Sequence, residues 1–227
     1  MLKNFYKVLF KNFTYFIRKL GLVYALILMF IFFICYENGM NKMEFIECLF
    51  LLKYKNIVFI ALYTTLISLI VVFLFKYIDI ISITNLKEFV IRINDNKKLK
   101  LLLGKSIVIL SIISTISIVV LTTILSCFLK GGQLDYKRIF LIQIFYISYF
   151  ICISMCFYFC DSNNMDNNIA YIIFSVFHIN NIFPIIPFIS VSYVKMNLNE
   201  FSYLLGISVY IIISILFYKF SFKLNQS

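Results

Sequence analysis

The chain has no tryptophan, two prolines and a single histidine among 227 residues, and only 14% of it is charged. Each scarcity excludes something. With so few prolines, most helices run uninterrupted. With His178 as the only histidine and no Glu-Glu pair anywhere, an intramembrane protease of the glutamate/histidine type lacks its working groups. Hydrophobic residues reach 63%, whereas soluble domains are about 45–50% apolar and about 25% charged. A water-soluble domain of this size has too little interior to hide 27 Phe and 16 Tyr beside the aliphatic side chains. Disordered, collagen-like and disulfide-stapled secreted classes fail on the same composition. Of the six cysteines only Cys48 lies clearly outside an apolar run, so a disulfide framework is not expected.

What is present is a series of long apolar runs, at a mean hydropathy of +0.97. A membrane span needs about 20 mostly apolar residues to cross about 30 Å of hydrocarbon. Six candidates meet that measure: 21–36, 56–76, 104–128, 139–160, 169–190 and 202–220. The first is short and borrows residues from a flank. The expected fold is therefore all-α, a polytopic membrane helix bundle of about six transmembrane helices forming one domain over 1–227. No internal repeat and no secretory signal peptide is read; the first apolar run follows twenty patterned residues without a small-residue cleavage site.

The charge is lopsided, with 21 Lys+Arg against 10 Asp+Glu. Nucleic-acid binding would need those bases on one solvated face. Here they lie between apolar runs, as in the cytoplasmic loops of membrane proteins. With the amino terminus inside, fourteen bases fall on the inner side and seven on the outer. The expected location is the cell membrane, multi-pass, with both termini cytoplasmic.

Residues 1–20 carry the clearest periodicity. On a helix, Leu2, Phe5, Tyr6, Leu9, Phe10, Phe13, Phe16, Ile17 and Leu20 fall within an arc of about 140°, with Lys3, Lys7, Lys11 and Arg18 grouped outside it. Such a helix lies in the interface, rings toward the acyl boundary and cations toward anionic headgroups. It serves either as a generic anchor or as an amphipathic N-terminal elbow helix bracing the first span.

The longest inner loop runs over 77–103. Asn85 followed by Glu88 three residues on matches a helix-start capping pair, Asn94 to Asn96 is turn chemistry, and Lys97, Lys98 and Lys100 lead through Gly104 and Lys105 into the third span. It is either a solvated basic loop or a short docking helix between two spans. The stretch from Arg92 to Ile109 has an arginine, a turn, paired lysines and then Leu-Leu-Gly-Lys opening an Ile/Ser/Val-rich span. It resembles the loop between the second and third spans of type-2 ABC exporter permeases. Among these it is most similar to the small bacterial permeases that accompany bacteriocin-immunity and peptide-antibiotic resistance ATPases.

That resemblance implies six spans, an elbow helix, and a coupling segment over Leu86 to Ile93 that rests in a groove of a cytoplasmic ABC ATPase. It implies partner-binding roles for Leu86, Lys87, Glu88, Phe89, Arg92, Lys97 and Lys98, with Lys105 at that contact or in the headgroup layer. It further implies a second permease copy or a related permease, no catalytic residue and no cofactor in this chain, and ATP and Mg on the partner. The cargo it implies is an amphipathic peptide or other lipophilic compound, exported or expelled.

The fifth candidate span holds His178 and Asn181, then Pro184 and Pro187, two prolines that disrupt the helical ladder. Either this is a re-entrant, substrate-facing turn covered by protein or water, or the span simply ends near Phe183. His178 is expected to hydrogen-bond Asn181 or a neighbouring span rather than to catalyse or bind metal. Cys152, Cys156 and Cys160 share one helical face with Ser148; the outer two are about 12 Å apart along a helix, too far for one ion, so packing is expected. In the outer segment 37–55, Glu44 and Glu47 lie about one turn apart and offer a weak substrate contact. Two rivals stand beside the permease. One is the substrate-capture subunit of a vitamin importer, whose Ala-x-x-x-Ala first span is only loosely matched around Ala25. The other is a peptide-processing membrane enzyme.

Overall fold

The computed structural model describes residues 14, 21, 23–51, 57–80, 96–163, 165–183 and 200–221. Among these the structure is all-helical, with seven helices: α1 Val23–Glu37, α2 Lys42–Leu51, α3 Ile57–Ile80, α4 Asn96–Ser126, α5 Tyr136–Ser162, α6 Asn167–Ile182 and α7 Glu200–Phe220. Four of them (α3, α4, α5 and α7) are long and apolar enough to cross a membrane. Large apolar side chains such as Phe33, Ile124, Ile172 and Ile215 are exposed on the outer surfaces, as expected of helices solvated by lipid.

Each of the six expected spans coincides with a helix, but two of those helices are short. The 16 residues of α6 reach about 24 Å, less than the hydrocarbon thickness of about 30 Å. The shortening has a local cause. Phe183 caps α6 with extended backbone (φ −117°, ψ 104°), and the residue before a proline is driven out of the helical region. Pro184 and Pro187 themselves lie outside the described residues, as do Leu86, Lys87, Glu88, Phe89 and Arg92 of the loop and the whole amphipathic arm except Thr14.

The segment 37–55, expected on the outer side, is not a plain loop: it contains α2, and five of that helix's residues, Phe45, Ile46, Cys48, Leu49 and Phe50, are buried apolar side chains. A ten-residue helix escapes a span-length ruler. Its start is a reciprocal capping box: the Glu44 amide donates to Asn41 Oδ1 (2.9 Å) and the Asn41 amide to Glu44 Oε2 (3.1 Å). Glu44 thus caps the start of its own helix.

The turn before it is a Schellman motif: Met40 N–H donates to the Cys35 carbonyl (3.0 Å), Gly39 N–H to the Tyr36 carbonyl (3.1 Å), and Gly39 has φ +65°. A Cβ at position 39 would meet nothing within 4 Å, so any penalty there is purely backbone. Gly39→Ala should therefore lower stability by about 1 kcal/mol, and Gly39→Asn by less. Unfolding of the two variants in the same detergent tests this; equal stability of Gly39→Ala and parent would remove the motif from the account.

The bundle is organised around α5, which is apolar on every side. Buried residues make up 67% of its best span, against 28–44% for α3, α4 and α7. It packs most extensively on α7 and also contacts α3, α4 and α6. Aromatic pairs hold these contacts: Phe75 stacks on Phe157 with centroids 4.2 Å apart, Phe159 meets Phe217 at 5.6 Å, and Tyr149 meets Tyr210 edge-on at 5.5 Å. Cys152, Cys156 and Cys160 are buried along α5, and all six cysteines are free thiols. On α4, Ser106, Thr115, Thr122 and Ser126 are buried with their hydroxyls donating to carbonyls three or four residues back. Small hydroxyl-bearing residues of this kind let helices approach closely in lipid.

Candidate functional site

From α3 to α7 the helices alternate in direction: Phe75 meets Phe157 and Tyr171, Phe159 meets Phe217, and Gly104 meets Tyr218. The ends of α3, α5 and α7 therefore share one face with the starts of α4 and α6, and we call this the basic end. Its described helices carry Lys76, Lys97, Lys98, Lys100, Lys105 and Lys219 against Asp79, Asp161 and Asp166. Lys97 and Lys98 do not belong to a separate loop element. They stand in the first turn of α4, which begins at Asn96 and runs on for 31 residues.

Polar groups inside the bundle gather nearer the opposite end. Tyr63 of α3 and Tyr146 of α5 place their hydroxyls 2.9 Å apart, and the Tyr146 hydroxyl also donates to the Phe50 carbonyl in the last turn of α2. A phenol has one proton. Since Tyr146 gives its proton to Phe50, Tyr63 must be the donor in the Tyr63–Tyr146 bond. The chain Tyr63 → Tyr146 → Phe50 thus caps one of the carbonyls that a helix C-terminus leaves open.

The Tyr63 ring lies nearly parallel to the His178 imidazole (5.4 Å, 13°), and Phe174 stacks on His178 as well (5.5 Å, 28°). His178 Nε2 meets Thr64 Oγ1 of α3 at 3.2 Å, while Nδ1 is buried without a hydrogen-bond partner among the described residues. Of the two partners expected for His178, the structure selects the neighbouring span. Asn181 is buried one turn further on, with its side chain beside the Tyr210 hydroxyl. The Tyr149 hydroxyl faces the same interior and has no hydrogen-bond partner among the described residues. Counted from the helix ends, Tyr63, Tyr146 and Tyr210 lie about 9–15 Å deep.

A second polar feature sits at the outer rim of this cluster. Arg138 in the first turn of α5 pairs with Glu47 of α2 (Nη1–Oε1 2.5 Å), their side chains 22% and 7% exposed. Glu47 therefore turns inward to α5 rather than outward. The neighbouring turns interlock too: Gly131 and Gly132 have φ of +75° and +74°, the Lys42 amide donates to the Gly131 carbonyl, and a Cβ on Gly132 would press on Asn41 at 3.2 Å. The α4–α5 turn thus forms a seat for the start of α2.

Chemically this interior offers hydroxyls, amides and one imidazole framed by aromatic rings. His178 bonds Thr64 of the neighbouring helix, and Asn181, one turn on, lies beside Tyr210. Tyr63, Tyr146 and Arg138 were missed, and Glu47 was read only as a weak substrate contact, because nothing in the local spacing marks residues that meet across 83 and 91 positions. Among the described residues no group of three or more His, Cys, Asp or Glu is placed to hold a metal ion. Comparison with family models, curated proteins and solved structures finds no match to this chain.

Proposed function

We propose that this chain is the membrane permease subunit of an ABC transporter, exporting or expelling an amphipathic peptide or other lipophilic compound with energy from a separate cytoplasmic ATPase. It works as two copies, or beside a related permease. The observation that carries the reading is how α3 and α4 flank residues 81–95. Their 24 and 31 residues give rods of about 36 and 46 Å, both longer than the hydrocarbon core of about 30 Å. A partner pressing on the segment between two such rods moves whole helices rather than a slack loop. The likeness of Arg92 to Ile109 to the coupling loops of type-2 exporters supports the same reading. Lys97 and Lys98, at the foot of α4, supply contacts to the motor.

Copurification tests this. The tagged chain should retain an ATPase, and Lys97→Glu with Lys98→Glu should reduce the retained ATPase at least tenfold while the bundle stays helical. Topology is the second arm. Exposed Cys127, at the far end of α4, should react with an impermeant maleimide added to intact cells, and Phe89→Cys should not. Labelling of Phe89→Cys from outside, or peptide cleavage by the purified chain alone, would overturn the proposal.

A further inference from the structure

An open groove of about 560 Å³ runs between α4, α5 and α7, within the range of roughly 300–1,000 Å³ typical of small-molecule clefts. Its floor is α5 from Ile144 to Met155, and its α7 wall runs from Ile207 to Tyr218. Eleven helical steps on each make it about 16 Å long, half the hydrocarbon thickness of about 30 Å. On α7 it runs from Tyr218, near the basic end, to Ile207, just past the middle of that helix, and its α5 floor reaches Ile144, also past the middle.

The lining is apolar almost throughout. Ser148 and Ser214 line it, but their hydroxyls already donate to Phe145 and Tyr210 carbonyls of their own helices (2.7 and 2.6 Å). The only charge among the described lining residues is exposed Lys105, placed at the headgroup end. Next to it, Gly104 lets the Tyr218 ring lie so close that a Cβ would meet Cε2 at 2.7 Å, so α4 and α7 meet tightly at this end of the groove.

We infer that this groove holds one acyl chain of an anionic phospholipid from the leaflet at the basic end, with the phosphate drawn to Lys105. Three observations select this occupant: a length of about half the hydrocarbon core, an apolar trough with a single cation toward its basic end, and an excess of bases over acids at that end. A helix of a second copy fits less well. Helix contacts in lipid favour small residues at the rim, whereas Leu101, Ile109, Ile211 and Ile215 stand exposed around this groove. The inference goes beyond the transport reading and does not depend on it.

Native mass spectrometry of the full chain in neutral detergent, titrated with phosphatidylglycerol and phosphatidylcholine of identical chains, tests it. Phosphatidylglycerol should bind at least fivefold more tightly, and Lys105→Gln should remove about fivefold of that affinity while leaving phosphatidylcholine unchanged. Ile211→Trp, at a side chain 46% exposed to lipid, should fill the trough and weaken both lipids while helicity is retained. Equal binding of the two lipids, or unchanged phosphatidylglycerol binding in both variants, would overturn the inference. So would an Ile211→Trp variant that breaks a dimer and leaves lipid retention intact, since the occupant would then be a second copy.

Discussion

Arg138→Met should destabilise the bundle by about 3 kcal/mol, the largest effect expected of any single substitution proposed for this chain. Removing the guanidinium leaves the Glu47 carboxylate, 7% exposed, without the Arg138 charge that faces it. Glu47→Gln should cost less. The charge left behind is then on Arg138, whose side chain is 22% exposed and keeps part of its hydration. The double variant should recover much of the loss, because two neutral side chains of similar volume leave no buried charge. Unfolding of the four proteins in mixed micelles gives the cycle. If Arg138→Met is no worse than a surface lysine change, or if the two losses simply add, the pair does not hold α2 to α5.

The second large effect is an asymmetry within one hydrogen-bonded pair. Tyr146→Phe should cost about 2 kcal/mol, because it orphans the Phe50 carbonyl and also leaves the buried Tyr63 hydroxyl without its acceptor. Tyr63→Phe should cost under about 1 kcal/mol, since Tyr146 keeps its donation to Phe50 and loses only an incoming bond. The lower figure matches the modest worth of interhelical hydrogen bonds in lipid, about 0.6 kcal/mol on average. The order of the two variants is the test. A Tyr63→Phe loss equal to or larger than that of Tyr146→Phe would reverse the donor assignment.

Both predictions rest on α2, the element the sequence did not announce. Lys42–Leu51 contains Lys42, Glu44 and Glu47 in ten residues, so a hydropathy window tuned to spans passes over it. The capping pair Asn41/Glu44 was legible in principle, being the same pattern read at Asn85/Glu88. The start of α4 was illegible for a different reason. Lys97, Lys98 and Lys100 sit where the helix dipole is positive, and a helix is not expected to open on three cations. The end of α6 was legible: Phe183 precedes a proline, and the helix stops there.

From the amino-acid order alone came the solvent, the helical class, the position of every long helix and the basic character of one end. Those depend on hydropathy summed along about 20 residues and on where lysines interrupt it, and both are local quantities. Which groups face each other inside was settled only by packing: Tyr146 under Phe50, His178 against Thr64, Arg138 on Glu47, and an apolar trough between α4, α5 and α7. In a chain this apolar nearly every helix face can be buried, so periodicity no longer distinguishes core from lipid. Shape complementarity and a few polar contacts then choose the partners, and those pairs lie dozens of residues apart in the chain.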